Sequence, residues 1–403
     1  MSLFGNIGYG IFGTKRKFGV EIEVSAHVSK ARMKKCIEEV DKAHPVRVSE
    51  QYAKDYNNNW WHIKKDGSCA DRDFPYGFEV CSYVGSGIAD IENVQKIVSA
   101  LNKLGAKPNN NCSIHVHAEV NDFNGEKLAG LVATWMRLEA IIAEMVPAGR
   151  VTGPFSKLLT KHYRWFSEKK RFDAATFCQL MMPNPVAGAF HGWADRDRRL
   201  ALNITNYAAV YHNLSDYRRN KAAYRKTVEL RLPEGSMDAR TVGNWVKFML
   251  QFVQCCKTLP FPEQITSVGL EEFLIMLKLH SKDHMLVLST GLWNLKVWIL
   301  ERVLKHSRNQ SLREESHKLL NYISEPYKTY DLEKTKEPKP KEERVRDRNA
   351  RLIDEVEPNP AIVAPRDRYA QLMEQMQQGH VQRAGQRAAN AYAAFYGDEE
   401  DEV

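Results

Sequence analysis

Residues 112–120 read CSIHVHAEV. In an extended strand successive side chains point to opposite faces. Ile114, Val116, Ala118 and Val120 therefore share one face, and Ser113, His115, His117 and Glu119 share the other. The first face belongs on a core. The second carries two imidazoles about 7 Å apart along the strand. The same reading extends outward in both directions. In KFGVEIEVSA (17–26), Phe18, Val20, Ile22 and Val24 oppose Glu21, Glu23 and Ser25. In YGFEVCS (76–82), Tyr76, Phe78 and Val80 oppose Glu79 and Cys81. In KTVELRLPE (226–234), Val228, Leu230 and Leu232 oppose Thr227, Glu229 and Arg231. A fifth candidate strand, LALNITNY (200–207), sets Asn203 and Thr205 against Leu202 and Ile204.

Any half-exposed sheet alternates in this way, with Lys, Thr and Glu scattered on its wet side. The choice of residue is what departs from that pattern. Four strands direct mostly carboxylates and imidazoles outward, with one arginine and almost no lysine. If the strands are neighbours, those like charges repel unless cations lie among them. Carboxylate oxygens with an occasional histidine suit magnesium or manganese rather than a structural zinc site. Close pairs of such metals bridge nucleotide phosphates in phosphoryl transfer. An arginine two residues from a carboxylate adds a fixed fork-shaped cation for the transferred group.

Around the strands the apolar spacing predicts three helices that pack on a core. One runs from Ile88 to Leu104 and stops at Gly105; a second runs from Leu128 to Met145 and stops before Pro147; a third runs from Val242 to Cys256. The region 269–325 reads as largely helical. The predicted class is α+β: a curved antiparallel β-sheet with helices on one face and an open active-site face. The expected organisation is a flexible N-terminus over 1–14, a catalytic domain over 15–325, a charged linker over 326–365, and a C-terminal helix with an acidic end over 366–403. The linker is dense in charge and proline, so it buries too little surface to offset its ordering entropy.

The chain has 403 residues, 43% of them apolar, which is ample for a sizeable core. Lys and Arg outnumber Asp and Glu by 58 to 50, a net charge of +8. That mild excess suits an anionic substrate such as a nucleotide. No nucleic-acid-binding motif accompanies it, so no nucleic-acid partner is expected. No apolar run is long enough to span a bilayer, and the N-terminus lacks the order of a signal peptide. The seven cysteines show no CxxC spacing, so neither a disulfide framework nor a cysteine-based zinc site is expected. A cytoplasmic location follows as the expectation.

The motifs FGVEIE (18–23), KDGS (65–68) with GFEV (77–80), SIHVH (113–117), RRLALN (198–203) and TVELRLPEGSMD (227–238) occur in that order. In this set the chain resembles the amidoligase family, part of the glutamine synthetase and glutamate–cysteine ligase superfamily, over roughly residues 15 to 260. Members occur in bacteria, fungi and bacteriophages, so a phage-encoded copy would work in the host cytoplasm. The resemblance implies a curved antiparallel sheet binding Mg-ATP. It also implies an ADP-forming ligase that phosphorylates a carboxylate and lets an amine displace the phosphate. Carried over by residue, Glu21 and Glu23 match the paired metal ligands of the first strand, and Glu79 the acid of the strand after the DGS turn. His115 or His117 matches the strand histidine near the second metal. Glu229 matches the late metal-binding glutamate, and Arg231 the arginine that contacts the phosphoryl group. Asp66 stands where related ligases hold an acid near the amine or metal. Arg198 and Asn203 match further motif positions expected to contact the nucleotide. Arg150, after the helix-ending MVPAG, resembles a loop arginine for nucleotide or substrate. Tyr83 departs from the family, which often has proline there, and 151–197 is a long insert.

The implied partners are a carboxylate and an amine, with peptides and proteins among the candidates; the implied cofactors are ATP with Mg2+ or Mn2+. Two other readings fit the same residues. A metal-dependent hydrolase would use the Glu/His cluster without nucleotide, but Arg231 and the lack of an HExxH-type motif weigh against it. A non-catalytic binding module could keep the fold.

Overall fold

The computed structural model describes residues 15–49, 58–70, 72, 75–162, 171–182, 198–219, 225–262, 264–280 and 292–324. The expected N-terminus 1–14, charged linker 326–365 and C-terminal helix over 366–403 lie outside the described residues. The strands, in chain order, are β1 (Lys17–Ala26), β2 (Val46–Ser49), β3 (Trp61–Lys65), β4 (Tyr76–Cys81), β5 (Gly85–Ser86), β6 (Ile114–Glu119), β7 (Leu202–Asn203) and β8 (Thr227–Leu230). They form one open sheet in the order β2-β3-β4-β1-β6-β8-β7, with β5 added on β1. The chain is α+β, as expected.

The sheet is mixed rather than antiparallel throughout. Strand β2 runs parallel to β3, while the other pairings are antiparallel. The fifth expected strand is also shorter than its alternation suggested. Only Leu202–Asn203 pairs with β8, and a helix, Thr205–His212, begins at once. The cause is the Asn203 side chain, whose Oδ1 accepts from Thr205 N–H at 2.9 Å and turns the backbone out of the sheet. Strand β8 likewise ends at Leu230. Its extension still bonds to neighbours, through Arg231 N–H to Ala201 O at 2.9 Å and Gly235 N–H to Cys112 O at 2.8 Å.

The register aligns the polar residues across strands. Glu23 lies opposite Glu79, Glu21 opposite both Cys81 and His115, and His117 opposite Glu229. On the other face Val20, Ile22, Val80, Ile114, Val116 and Leu230 are at most 1% exposed. Helices cover that face. Ala239–Cys256 lies on β6 and β1 and against helix Gly87–Leu104; helix Gly125–Glu144 packs beside it. All three expected helices are present, as are Leu270–Met276, Leu292–His306 and Gln310–Ser324 in the region read as helical.

Their ends follow local chemistry. Gly105 stops its helix at φ 99°, a conformation that costs glycine nothing. Asp238 caps Ala239–Cys256 by accepting from Arg240 and Thr241 N–H. Helix Lys30–Val40 after β1 was not anticipated, because its mean hydropathy is low and only Met33 and Ile37 are fully buried. Tyr83, the departure from the family pattern, stacks on His44 at 3.6 Å and donates to Asp90 at 2.7 Å. No helix among the described residues is long and apolar enough to cross a membrane.

Candidate functional site

The face of the sheet opposite the helices carries the acids and imidazoles. Glu21 stands at its centre on β1. Its Oε2 lies 3.1 Å from His115 Nδ1, and its Oε1 lies 3.2 Å from His117 Nε2. Burial would raise the Glu21 carboxyl, but the two imidazoles outweigh it and hold the group well below the usual carboxylate range. His117 shows the converse. Burial pulls it down, yet the charges of Glu21 and Glu229 lift it above its ordinary value. His115 Nδ1 is also 3.5 Å from Glu229 Oε1, and its Nε2 is 2.9 Å from Ser113 Oγ.

Glu23, one alternation along β1, is anchored by Ser113, whose N–H and Oγ–H donate to Glu23 Oε2 at 2.8 and 2.6 Å. Burial pushes its carboxyl above the usual range. On β8, Glu229 accepts from Asn203 Nδ2 at 2.6 Å and pairs with Arg231. Asn203 therefore has both ends of its amide engaged and positions Glu229 from β7.

Eight of the predicted site residues thus share one face: Glu21, Glu23, Glu79, His115, His117, Asn203, Glu229 and Arg231. Asp66 joins them from the turn Gly67–Cys69, where its carboxylate caps Ser68 at 2.9 Å and lies near Glu23 and Cys69. Arg150, in the short helix Ala148–Thr152, reaches the edge of the face, but its guanidinium donates to the backbone carbonyls of Arg231 and Leu232 at 2.9 and 3.2 Å. It ties the end of β8 in place. Arg198 is exposed on the turn before β7, and among the described residues no hydrogen bond or ion pair links it to the acids.

Strand β3 adds residues that sequence reasoning missed. Lys64, 3% exposed, donates through Nζ to Glu79 Oε1 at 2.7 Å, and Cys81 Sγ–H donates to the same oxygen at 2.9 Å. His62 lies beside them, opposite Cys81. The signal was present as the alternation of Trp61 and Ile63 against His62 and Lys64 in WHIKK, a strand of five residues. Glu79 therefore carries its own cation. Glu229 has one too in Arg231, so the repulsion that points to metals falls mainly on Glu21 and Glu23.

Two buried polar atoms on this face, His117 Nε2 and Arg231 Nε, lack a hydrogen bond. Nε2 still lies 3.2 Å from Glu21 Oε1, within ion-pair distance. Buried donors without a hydrogen bond are costly, and a ligand is one way they become satisfied. Glu21, His117 and Glu229 each offer a ligand atom, and the three atoms lie within 4.8 Å of one another. Oxygen and imidazole donors in that arrangement fit magnesium or manganese. A cavity of about 510 Å3 opens beside Glu21 and His117, lined also by Lys17, His62, Val84, Arg225 and Lys226. It is large enough for a small-molecule substrate.

Not every buried acid belongs to this set. Glu139, 0% exposed, accepts from Trp135 Nε1, Leu159 N–H and both the N–H and Oγ–H of Thr160 at 2.7–2.8 Å. With its hydrogen bonds complete, it is a structural tie between helix Gly125–Glu144 and the segment that follows.

Comparison with known proteins gives one finding. Residues 14–253 match the model of the family described as "Putative amidoligase enzyme", a ligase family by that description. No curated protein matches the chain significantly. Because the family match takes in the whole acid-lined sheet and more than half of the chain, this chain belongs to the amidoligase family.

Proposed function

We propose that the protein is an ATP-dependent, ADP-forming carboxylate–amine ligase. The observation that carries the reading is the Glu21–His117–Glu229 group with Arg231 beside it, two of whose buried nitrogens have no hydrogen bond. In this reading Mg2+ or Mn2+ is held by Glu21, His117 and Glu229, with Glu23, Glu79 and His115 supporting, and the metal neutralises nucleotide phosphate charge. The γ-phosphoryl group passes to a substrate carboxylate, giving ADP and an acyl phosphate. An amine then attacks the acyl carbon, and inorganic phosphate leaves. Arg231 steadies the charge on the moving phosphoryl group. Asp66 takes the proton that the amine loses. Arg150 holds the β8 backbone that carries Arg231. Kinship of the sheet to that of glutamine synthetase belongs to the same proposal, as do a catalytic unit over 15–325 and work in the cytoplasm.

The test is product analysis with ATP and magnesium over a panel of amino acids, peptides and amines. ADP and phosphate should accumulate only when a carboxylate and an amine are both present. Formation of AMP and pyrophosphate, or turnover of substrate without nucleotide, would count against the ligase reading.

A further inference from the structure

Strand β3 runs beside β4 with Lys64 opposite Glu79, and Glu79 in turn stands opposite Glu23 on β1. The register thus brings a lysine onto the acid face. Its side chain is 4% exposed, and Nζ donates to Glu79 Oε1 at 2.7 Å. Cys81 Sγ–H donates to the same oxygen at 2.9 Å. A carboxylate oxygen offers about two lone pairs, so the ammonium and the thiol together take up Oε1. A buried ammonium is costly unless an acid faces it, and here Glu79 does.

The acid pattern of the sequence suggests a pair of metals on this face. Beside the Glu21–His117–Glu229 group, a second ion would have Glu21, Glu79 and Cys81, each with a ligand atom within 4.8 Å of the others. Magnesium and manganese take oxygen ligands rather than a thiol. An ion bound to Glu79 Oε1 at about 2.1 Å would also stand within about 5 Å of the Lys64 ammonium. Like charges so close repel strongly where water is excluded.

We infer that Lys64 is a built-in cation that takes the place of a second divalent ion: the face binds one such ion, at Glu21, His117 and Glu229, and the ammonium balances Glu79. Lys64 is a positioning residue, acting through Glu79 rather than on the reacting groups. Fixed cations then flank the ion on both sides, Lys64 from β3 and Arg231 from the end of β8. A cation carried by the chain cannot dissociate, so the face should fill with free metal in a single step. The inference rests on the placement of the ion in the ligase reading, and is independent of the reaction that the ion serves.

Equilibrium dialysis of the full-length protein against manganese, with ADP at equal concentration on both sides of the membrane, counts the bound ions. The wild-type protein should saturate at one manganese per chain. Lys64→Met frees Glu79 and should saturate at two. Lys64→Arg, which keeps the charge, should stay at one. Lys64→Met/Glu79→Gln, which removes both charges together, should also return to one. The wild-type, Lys64→Arg and double-variant counts stand even if Lys64→Met does not fold. Two ions in the wild-type protein, one in a folded Lys64→Met, or two retained in the double variant would overturn the inference while leaving the Glu21–His117–Glu229 ion in place. No manganese bound by any of the four would overturn it together with the metal reading on which it rests.

Discussion

Arg231→Lys should release phosphate from ATP about a hundredfold more slowly at saturating nucleotide, with little change in nucleotide affinity. Glu229 and Arg231 sit two residues apart along the end of β8, and the guanidinium already touches Glu229. A metal on Glu229 would bring the terminal phosphate within reach of the same side chain. Arg231 Nε is buried without a partner, so the fork has a donor in reserve. Loss of a preorganised donor to a charge-developing transition state typically costs about 3 kcal/mol, which is the hundredfold given above. Lysine keeps the charge but not the planar fork, so it should not restore the rate. A variant that binds ATP far more weakly yet turns over normally when saturated would make Arg231 a binding residue.

The second large effect concerns the metal. Magnesium or manganese added with ADP should raise the melting temperature of the wild-type protein, since a ligand that binds only the folded state stabilises it. At a ligand concentration of about 100 Kd the gain is about 2.7 kcal/mol. Glu21→Gln/Glu229→Gln should lose that gain. It removes two of the three ligands within 4.8 Å of each other and leaves His117 alone. The same variant should also change the stability of the metal-free protein. His117 has its proton affinity raised by those two carboxylates, so its contribution is present below its unfolded pKa and fades as pH rises through the higher folded value. In the double variant that pH dependence should flatten. An undiminished rise in melting temperature would show that the metal sits elsewhere.

Much of this site was legible in the sequence because β1, β4 and β6 alternate strictly over six to ten residues. Alternation fixes which side chains share a face, and the register of neighbouring strands then does the rest. It fails where an element is too short to show a period. Strand β2 has four residues and β3 five, so Lys64 and its pairing with Glu79 went unseen. The apparent excess of unbalanced acid on the sheet was correspondingly overstated. At 200–207 the pattern was a true alternation for two residues and then a helix start, a switch made by one asparagine side chain. Arg150 and Arg198 were named for motif position alone. One proves to hold backbone and the other to be exposed, distinctions that depend on tertiary contacts.

The account stands most directly on where the cation goes. Crystals grown with manganese and ADP, measured at the manganese absorption edge, locate it without reference to activity. The prediction is an anomalous peak between Glu21, His117 and Glu229, with nucleotide phosphate beside it and Arg231 turned toward that phosphate. Nucleotide bound away from this face, or manganese bound with none of these three residues as ligands, would contradict it.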